Sequence, residues 1–470
     1  MFWTAFSFLE IAYVVILSVW ILLEKRSPVA TLAWILALGF LPLLGFVLFF
    51  FLGPRRLRRK RSRRLTSRSR VRAQVDISAI SHQREPLALE IEQLMKLAYR
   101  TGEAPPATCT SLTLLTNADH CYTEICAEID RAKHHVHVEY YIFEPGDAAG
   151  MFRDALMRAR DRGVEVRLLV DAVGSSALSG AFLAPLIAKG ARFATFNPVF
   201  FARLHAPINF RNHRKIVVCD GRVGFTGGIN VCDDYLLREA HPPWRDTHLK
   251  IVGNAVRWLA LAFFDDWIFA TGELPDGAAY FPEQEPNEPL VAQVVASGPD
   301  HDFESIRNTY FAAIANARER VWITTPYFVP DEAVLTALCT AALRGVDVRV
   351  LVPRRGDSLL VTLAARSYYE DLLHSGAKVF EYTPTMLHAK TMLVDHDLSI
   401  IGTANLDNRS FRLNFEVCVC AFGNAMNDEL ARVFDEDLTQ SEQVKRSRRV
   451  RLPWHQQLGE AGARLLSPVL

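Results

Sequence analysis

The fold is decided by a stretch that the chain contains twice, NHRKIVVCDG at residues 212–221 and LHAKTMLVDH at residues 387–396. Both copies read His-x-Lys-x4-Asp. Apolar residues follow the lysine and a turn-forming stretch follows the aspartate, which predicts a β-strand that ends in a turn. Side chains two residues apart leave a strand on the same face, so each histidine projects beside its lysine. An imidazole beside an ammonium forms half of an anion site, and two such halves brought together would form a reactive phosphate site.

The repeat extends on both sides of these strands. Each copy continues into a glycine-containing stretch that ends in an asparagine, Asn230 in the first half and Asn405 in the second. Further parallels join residues 132–143 to 317–328, 162–170 to 344–352, and 245–253 to 415–423. Each half therefore reads strand, helix, strand and motif strand, which predicts an α/β fold whose sheet is largely buried.

These parallels define the expected domains of the body. We predict a first half at residues 107–272 and a second half with a C-terminal tail at residues 301–470, packed around one shared active site. Residues 273–300, rich in Pro, Glu and Gly, are expected to be a linker. The tail near residues 446–466 is basic and partly amphipathic, which is compatible with a helix on the membrane or one packed on the body.

Two apolar runs precede the body, at residues 2–23 and 29–52. Each is long enough for a helix to cross a hydrocarbon core of about 30 Å at about 1.5 Å per residue. A cleaved signal peptide is the alternative, but no basic region precedes the first run and no small-residue cleavage site follows it. Residues 1–53 are therefore predicted to be a two-helix transmembrane hairpin.

A basic segment follows the apolar runs, within a juxtamembrane and linker-helix region predicted at residues 54–106. Residues 55–72 contain eleven Arg or Lys and no acid, so the rest of the chain carries 42 basic and 52 acidic residues. By the positive-inside rule this side of the membrane is cytoplasmic, which places the catalytic body in the cytoplasm. The segment is either a plain stop-transfer anchor or also a binding site for anionic lipid headgroups.

Composition restricts the class of protein. The acidic body disfavours a general nucleic-acid binder, which would spread positive charge over its working face. The eight cysteines show neither a CxxC motif nor a metal-ligand spacing, so we expect them to be reduced and structural, with no zinc site.

The candidate catalytic residues are His213, Lys215, Asp220, His388, Lys390 and Asp395, the two motif triplets. One neutral imidazole can attack phosphorus to form a phosphohistidine, while the other, protonated, donates to the leaving alcohol. The lysines and the amides of Asn230 and Asn405 can bind the phosphoryl oxygens, so we predict a reaction without metal or other cofactor.

Two further carboxylates, Asp246 and Glu416, occupy matching positions beyond the motifs. Together with Asn230 and Asn405, they are the candidate substrate-binding residues. We also expect each of the two carboxylates to accept a hydrogen bond from the histidine nitrogen that does not react, with the histidine of its own half as the expected partner. Asp220 and Asp395 complete the motifs but stand at strand ends, where their carboxylates are expected to brace the turns. The residues leave open which histidine attacks.

The paired motifs resemble the phospholipase D superfamily, whose members carry two H-x-K-x4-D motifs that meet in one active site. The blocks that narrow this resemblance to bacterial cardiolipin synthases are GTANLDNRSF at 402–411 with Asn414 and Glu416, TPYFVP at 325–330, NFRNHRK at 209–215 and the ending LLSP at 465–468. The resemblance spans essentially the whole chain. Phe210 stands where the family is expected to have a tyrosine. The hydroxyl is lost, and we expect no effect on the reaction.

The resemblance implies transfer of a phosphatidyl group between two phosphatidylglycerol molecules at the bacterial inner membrane, giving cardiolipin and glycerol. One alternative keeps the site and uses water as the acceptor, as in a membrane-bound phospholipase D that releases phosphatidic acid. A nuclease of the superfamily is disfavoured by the anchor and the acidic body. A catalytically inactive scaffold is disfavoured because both His–Lys pairs are intact.

Overall fold

A computed structural model of the protein describes residues 2–23, 28–40, 89–196, 210–238, 242–274, 278–282 and 289–470. These residues fall into two compact units. The first contains α1 (Phe2–Leu23) and α2 (Pro28–Phe40), which contact each other through buried Ile21 and Leu38. Within the described ranges, none of the helices combines the length and the apolar character required to span a membrane. The predicted second apolar run lies partly, and the basic segment at 55–72 entirely, outside these ranges.

The second unit holds the α/β body. Its helices are α3 (Leu89–Gly102), α4 (Ala118–Arg131), α5 (Asp147–Asp161), α6 (Gly180–Ala188), α7 (Val256–Thr271), α8 (Ser305–Asn316), α9 (Glu332–Leu343), α10 (Leu359–Ser367), α11 (Tyr369–Ser375), α12 (Asn408–Arg412), α13 (Asn424–Thr439), α14 (Arg446–Val450) and α15 (Trp454–Arg464). Its strands are β1 (Ala107–Cys109), β2 (Ser111–Leu115), β3 (His135–Tyr140), β4 (Glu165–Asp171), β5 (Arg192–Phe196), β6 (Ile216–Cys219), β7 (Val223–Gly227), β8 (His248–Val252), β9 (Leu290–Ser297), β10 (Arg320–Thr324), β11 (Phe328–Val329), β12 (Asp347–Pro353), β13 (Lys378–Tyr382), β14 (Thr391–Val394), β15 (Leu398–Gly402), β16 (Leu406–Asp407), β17 (Glu416–Phe422) and β18 (Ser441–Gln443).

The two main sheets repeat one topology. The first has the strand order β2-β8-β7-β6-β3-β4-β5, and the second has the order β1-β9-β17-β15-β14-β10-β12-β13-β18. The run β8-β7-β6-β3-β4-β5 corresponds strand for strand to β17-β15-β14-β10-β12-β13. In both, the motif strand pairs antiparallel with the first strand of a parallel set of three. The predicted duplication of an α/β half is confirmed.

The motif strands are buried on both faces, which explains their unbroken apolar runs. In β6, Ile216 and Val218 face a core shared with the other half, whereas Val217 and Cys219 face the outer core of the first half. The shared core packs residues of both sheets with α7 and α13. Since α7 lies in this shared core, it is apolar around most of its circumference, and it ends at Gly272 with a left-handed φ of 78°.

The segment predicted as a linker contributes a strand. β9 lies inside residues 273–300 and pairs antiparallel with the whole length of β17. β1, which was assigned from sequence to the first half, pairs with β9 in the second sheet. The short, mostly apolar sequence LVAQVVAS is typical of a buried strand, but the Pro- and Glu-rich residues before it dominated the composition of residues 273–300.

The C-terminal tail includes a helix packed on the body. In α15, Glu460 and Ala463 are buried, and Glu460 pairs with Arg449. Trp454 and Leu458 of the same helix are exposed, so contact of this face with a membrane stays a prediction.

Candidate active site

The two halves are joined at the site by two short parallel β-bridges, Asn212 with Phe415 and Arg245 with Leu387. The His213 N–H donates to the Phe415 carbonyl at 2.9 Å, and the His388 N–H donates to the Arg245 carbonyl at 2.7 Å. Each bridge therefore pairs the residue before one histidine with the residue before the second carboxylate of the other half. The backbone brings each histidine next to a carboxylate from the opposite half.

The side chains follow this crossed arrangement. His213 Nδ1 lies 3.0 Å from Glu416 Oε2, and His388 Nδ1 lies 2.7 Å from Asp246 Oδ2. Pairing within each half was the wrong expectation, because equivalent positions in a repeat do not show which copy they contact. Both carboxylates are almost completely buried, at 0 % exposure for Glu416 and 1 % for Asp246. All four groups thus form one site shared by the halves.

Each carboxylate is held by neutral donors. Glu416 accepts from the Thr403 hydroxyl at 2.5 Å and from the Asn414 amide at 3.2 Å. Asp246 accepts from the Thr247 backbone N–H at 2.7 Å and from the Tyr235 hydroxyl at 3.1 Å. These donors fix the carboxylates against the imidazoles without neutralising them.

The position equivalent to Thr403 in the first half is Gly228, for a steric reason. A Cβ on Gly228 would lie 2.0 Å from Asp246 Oδ1. The same position therefore supplies a hydroxyl donor to Glu416 in one half and only space for Asp246 in the other.

The motif lysines are buried inside the same site. Lys215 Nζ donates to the His213 carbonyl at 2.8 Å, and Lys390 Nζ lies 2.8 Å from His388 Nδ1. Burial, reinforced by Lys390, lowers the pKa of Lys215 to about 7. Burial also lowers the pKa of Lys390 to about 8, against the attraction of Asp246 and Glu416. Burial disfavours the charged form of both lysines, and an anion beside them would favour it.

Both motif histidines have lowered pKa values and are neutral at pH 7. Burial lowers the pKa of His213 to about 4, and Glu416 opposes the shift. Burial and the nearby Lys390 lower the pKa of His388 to about 4, while Asp246 opposes them. Burial alone would raise the pKa values of Asp246 and Glu416, but the lysines and the histidines outweigh it and lower both. The carboxylates are therefore the charged members of each pair.

Asp220 and Asp395 lie at the turns, as their strand-end positions predicted. The Asp220 carboxylate accepts the backbone N–H groups of Lys133, His134 and His135, and Asp395 accepts those of residues 318–320. Both have a left-handed backbone, with φ of 52° and 47°, which aspartate tolerates better than most residues. These carboxylates fix each motif strand to the neighbouring strand of its sheet, and a catalytic role for Asp220 and Asp395 stays a prediction.

The two motif asparagines are buried after β7 and β15. Asn230 Oδ1 accepts from the Ile142 N–H at 3.4 Å, and the Asn230 carbonyl accepts from the Tyr122 hydroxyl. The Asn405 N–H donates to the Ser410 hydroxyl at 3.1 Å. Binding of phosphoryl oxygens by the two side-chain amides stays a prediction.

A buried polar network beneath His213 was missed by the sequence analysis. The fully buried Arg214 donates to Asp266 at 2.6 Å, to the Glu416 carbonyl at 3.1 Å and to the Ser297 carbonyl at 3.1 Å. The Asn212 amide also donates to Asp266. The signal in the sequence was a pair of acidic residues, Asp265 and Asp266, inside a mostly apolar helix. At the second motif, Leu387 and Ala389 replace Asn212 and Arg214. The second motif therefore lacks the two polar side chains that build this network beside His213.

Aromatic rings line the histidines. The Tyr141 ring centroid lies 4.8 Å from that of His213, and Trp244 and Tyr235 lie 5.5 Å and 6.1 Å from His388. The Tyr235 hydroxyl also lies 2.8 Å from His388 Nδ1. In the described ranges, no group of three or more His, Cys, Asp or Glu side chains is arranged to hold a metal ion, and the metal-independent reaction stays a prediction.

Family models and curated relatives match most of the chain. The family model described as cardiolipin synthase, PLD-like domain, matches residues 125–240 and 310–438, and the phospholipase D-nuclease N-terminal model matches residues 11–54. A cardiolipin synthase of Geobacillus kaustophilus is 40% identical over 99% of this chain and 94% of its own length. Cardiolipin synthase 1 of Bacillus anthracis is 39% identical over 96% of this chain and 91% of its own length.

The fold also resembles a solved structure. The crystal structure of a phosphatidylserine synthase from Haemophilus influenzae is similar over 80% of this chain and 100% of its own, with a TM-score of 0.60 at 14% identity. That similarity supports the fold alone. From the full-length identity and the matched domains, the chain belongs to the cardiolipin synthase family of phospholipase D-like proteins.

Proposed function

We propose that the protein is a phosphatidyltransferase that makes cardiolipin and glycerol from two phosphatidylglycerol molecules through a phosphohistidine intermediate. The observation that carries the proposal is the pair of crossed histidine–carboxylate contacts, His213 with Glu416 and His388 with Asp246, buried together with two lysines. Two imidazoles of this kind supply the nucleophile and the proton donor that cleavage of a phosphodiester requires.

Binding of the donor lipid places its phosphodiester beside Lys215 and Lys390. The anion replaces the repulsion between the two ammonium groups with attraction, so the pKa of each lysine rises on binding and both remain charged. Because the site is buried, this attraction is stronger than it would be in water. The side chains of Asn230 and Asn405 are proposed to donate to the remaining phosphoryl oxygens.

In the first step one imidazole forms a bond to phosphorus and the bond from phosphorus to the glycerol headgroup oxygen breaks. The attacking histidine keeps its proton on Nδ1 and donates it in a hydrogen bond to the carboxylate, which leaves the Nε2 lone pair free. The bound phosphate anion raises the pKa of the second histidine, so this imidazole carries a proton and transfers it to the departing glycerol oxygen.

In the second step a headgroup hydroxyl of another phosphatidylglycerol attacks the phosphohistidine. The second imidazole, neutral after the first step, takes the hydroxyl proton. The new phosphodiester bond forms as the phosphorus–nitrogen bond breaks, so cardiolipin is released and both imidazoles return to their starting states. No redox change or co-reactant is needed.

The proposed location is the cytoplasmic face of the bacterial inner membrane. The apolar runs at 2–23 and 29–52 would anchor the chain as a hairpin, and the basic segment at 55–72 would attract anionic lipids such as phosphatidylglycerol. The substrate headgroups lie at this same surface. Anchoring therefore supports a lipid substrate over a nucleic acid.

The test is product analysis with purified full-length protein in phosphatidylglycerol vesicles. The proposal predicts equal molar yields of cardiolipin and glycerol. If phosphatidic acid is the main product, the protein is the hydrolase that uses the same two histidines with water as the acceptor. If neither cardiolipin nor phosphatidic acid is formed, the proposal is overturned altogether.

A further inference from the structure

The proposed reaction requires two phosphate sites, although the duplicated motifs account for only one. The phosphodiester that is cleaved lies between the lysines, while the acceptor lipid has a phosphate of its own three carbons from its attacking hydroxyl. Binding that second anion in an oriented way needs further donors near the pocket. A duplicated site is symmetric, so these donors are expected where the two halves differ.

Two arginines mark such a difference. Arg211 precedes the first motif by two residues, and the equivalent position in the second half is Met386. Arg409 follows Asn405 by four residues, and the equivalent position in the first half is Asp234. At these two positions the first-motif side of the site carries arginines where the second-motif side carries a neutral and an acidic residue.

The backbone brings both arginines to one place. The Arg211 carbonyl accepts from the Phe415 N–H at 2.8 Å, and the Arg409 carbonyl accepts from the Asn414 N–H at 2.8 Å. Asn414 and Phe415 are neighbours, and the next residue is Glu416, which contacts His213. Both arginines are therefore anchored to a single dipeptide at the edge of the His213 half of the site.

The two guanidinium groups influence the pKa of the same neighbour, Tyr141. Repulsion from Arg409 contributes to the lowered pKa of Arg211, which arises mainly from burial. Both arginines oppose the burial that raises the pKa of Tyr141, and the Tyr141 ring is 4.8 Å from that of His213. An anion bound beside Tyr141 would therefore be attracted by two guanidinium groups at once.

The acid that attracts Arg211 forms no ion pair with it in the described residues. Asp171 attracts Arg211 electrostatically, but its carboxylate oxygens accept the backbone N–H groups of Asn212, Val173 and Gly174. Among the residues that the structure describes, no carboxylate lies within ion-pair distance of the Arg211 guanidinium. Arginine also binds phosphate through two parallel N–H bonds, which orients the ligand as well as attracting it.

We propose that Arg211 and Arg409 form the binding site for the phosphate of the acceptor lipid, beside the His213–Glu416 pair. This inference rests on the proposed phosphatidyl transfer and names the residues that select a phospholipid over water or a free alcohol as the acceptor. An acceptor held by its phosphate presents its hydroxyl to the phosphohistidine repeatedly, whereas water carries no group that the two arginines could hold.

The experiment compares two acceptors on the same enzyme. Full-length protein in phosphatidylglycerol vesicles is assayed for cardiolipin formation and, separately, for exchange of labelled free glycerol into phosphatidylglycerol. Exchange uses the same phosphohistidine but an acceptor without a phosphate. The variants are Arg211→Gln and Arg409→Gln, with Arg211→Lys and Arg409→Lys retaining the charge without the planar fork. Arg432→Gln, on the surface of α13 and paired with Glu436, is the matched control for losing one positive charge.

The ratio of cardiolipin formation to glycerol exchange is expected to fall about 10-fold or more in each Gln variant, as expected for loss of a charge-assisted hydrogen bond. The Lys variants should lie between the Gln variants and wild type, and Arg432→Gln should keep the wild-type ratio. A lower yield of cardiolipin should be accompanied by more phosphatidic acid.

The proposal is overturned if both activities fall by the same factor, because the arginines would then serve folding or the central phosphate, or if the ratio does not change. A Gln variant that has lost its fold loses glycerol exchange as well as cardiolipin formation. That result counts against a role confined to the acceptor, unless the corresponding Lys variant restores the ratio of cardiolipin formation to glycerol exchange. Failure of the proposed function is separate and visible in wild type, which would then exchange glycerol or hydrolyse lipid without making cardiolipin.

Discussion

Substitution of Asp246 by Asn removes one charge from the crossed pair and barely changes its shape. Asp246 Oδ1 accepts from the Thr247 N–H, while Oδ2 lies 2.7 Å from His388 Nδ1 and 3.1 Å from the Tyr235 hydroxyl. An asparagine has one acceptor oxygen. If that oxygen keeps the Thr247 bond, the NH2 group faces His388, so the imidazole must offer its Nδ1 lone pair and move its proton to Nε2.

This exchange of tautomers blocks the nitrogen that must attack phosphorus or accept a proton. The equivalent substitution in the Ser-His-Asp triad lowers kcat by roughly 10⁴-fold, which corresponds to about 5.5 kcal/mol of barrier. We expect Asp246→Asn to lower cardiolipin synthesis by about 10³- to 10⁴-fold. The cost in unfolding free energy should be only about 1–3 kcal/mol, because hydrogen-bonding capacity is mostly kept.

The assay measures the initial rate of cardiolipin formation together with thermal unfolding of the same preparation. Asp331→Asn is the matched control, since Asp331 is also buried and caps α9 through its side chain, and Asn is an equally good cap. The control should change the rate little. The reasoning is refuted if Asp246→Asn retains more than about a tenth of the wild-type rate, or if its rate loss equals its loss of folded protein.

Three further outcomes follow from the site. Gly228→Ala should lower the rate nearly as much as Asp246→Asn, because the new Cβ would lie 2.0 Å from Asp246 Oδ1; a fully active variant would refute this steric role. Lys215 is cationic below its lowered pKa of about 7 and neutral above it, so inhibition by sulfate should weaken as the pH rises from about 6 to about 9, and constant inhibition would contradict the shift. Asp266→Ala leaves the buried Arg214 unpaired and should lower the unfolding free energy by about 3–5 kcal/mol, measured by denaturant unfolding in detergent; a loss below about 1 kcal/mol would show that the network does not support the fold.

Much of the fold was accessible from sequence because the chain repeats itself. The spacing of His213 and Lys215, copied at His388 and Lys390, identified the motif strands and the shared site, and both halves fold with the same strand order. The turn role of the motif aspartates also followed from their place at strand ends. In each case the information was local along the chain.

The remaining features depend on contacts between residues that lie far apart in the sequence. The crossed pairing of Asp246 with His388 arises from the bridge between Arg245 and Leu387, and internal spacing is identical whether pairs form within or between repeats. The Arg214–Asp266 pair joins residues 52 positions apart. β9 was hidden because its partner strand, β17, begins more than a hundred residues later. Distant pairings of this kind leave no periodic signal in one sequence.

The central claim is that one histidine from each half acts in a single phosphodiester site. It is tested most directly by measuring cardiolipin made from phosphatidylglycerol vesicles by His213→Ala and His388→Ala, each purified as a folded protein. We predict that neither variant forms cardiolipin above background. Substantial synthesis by either variant alone would mean that the other histidine suffices, and the shared site would be contradicted.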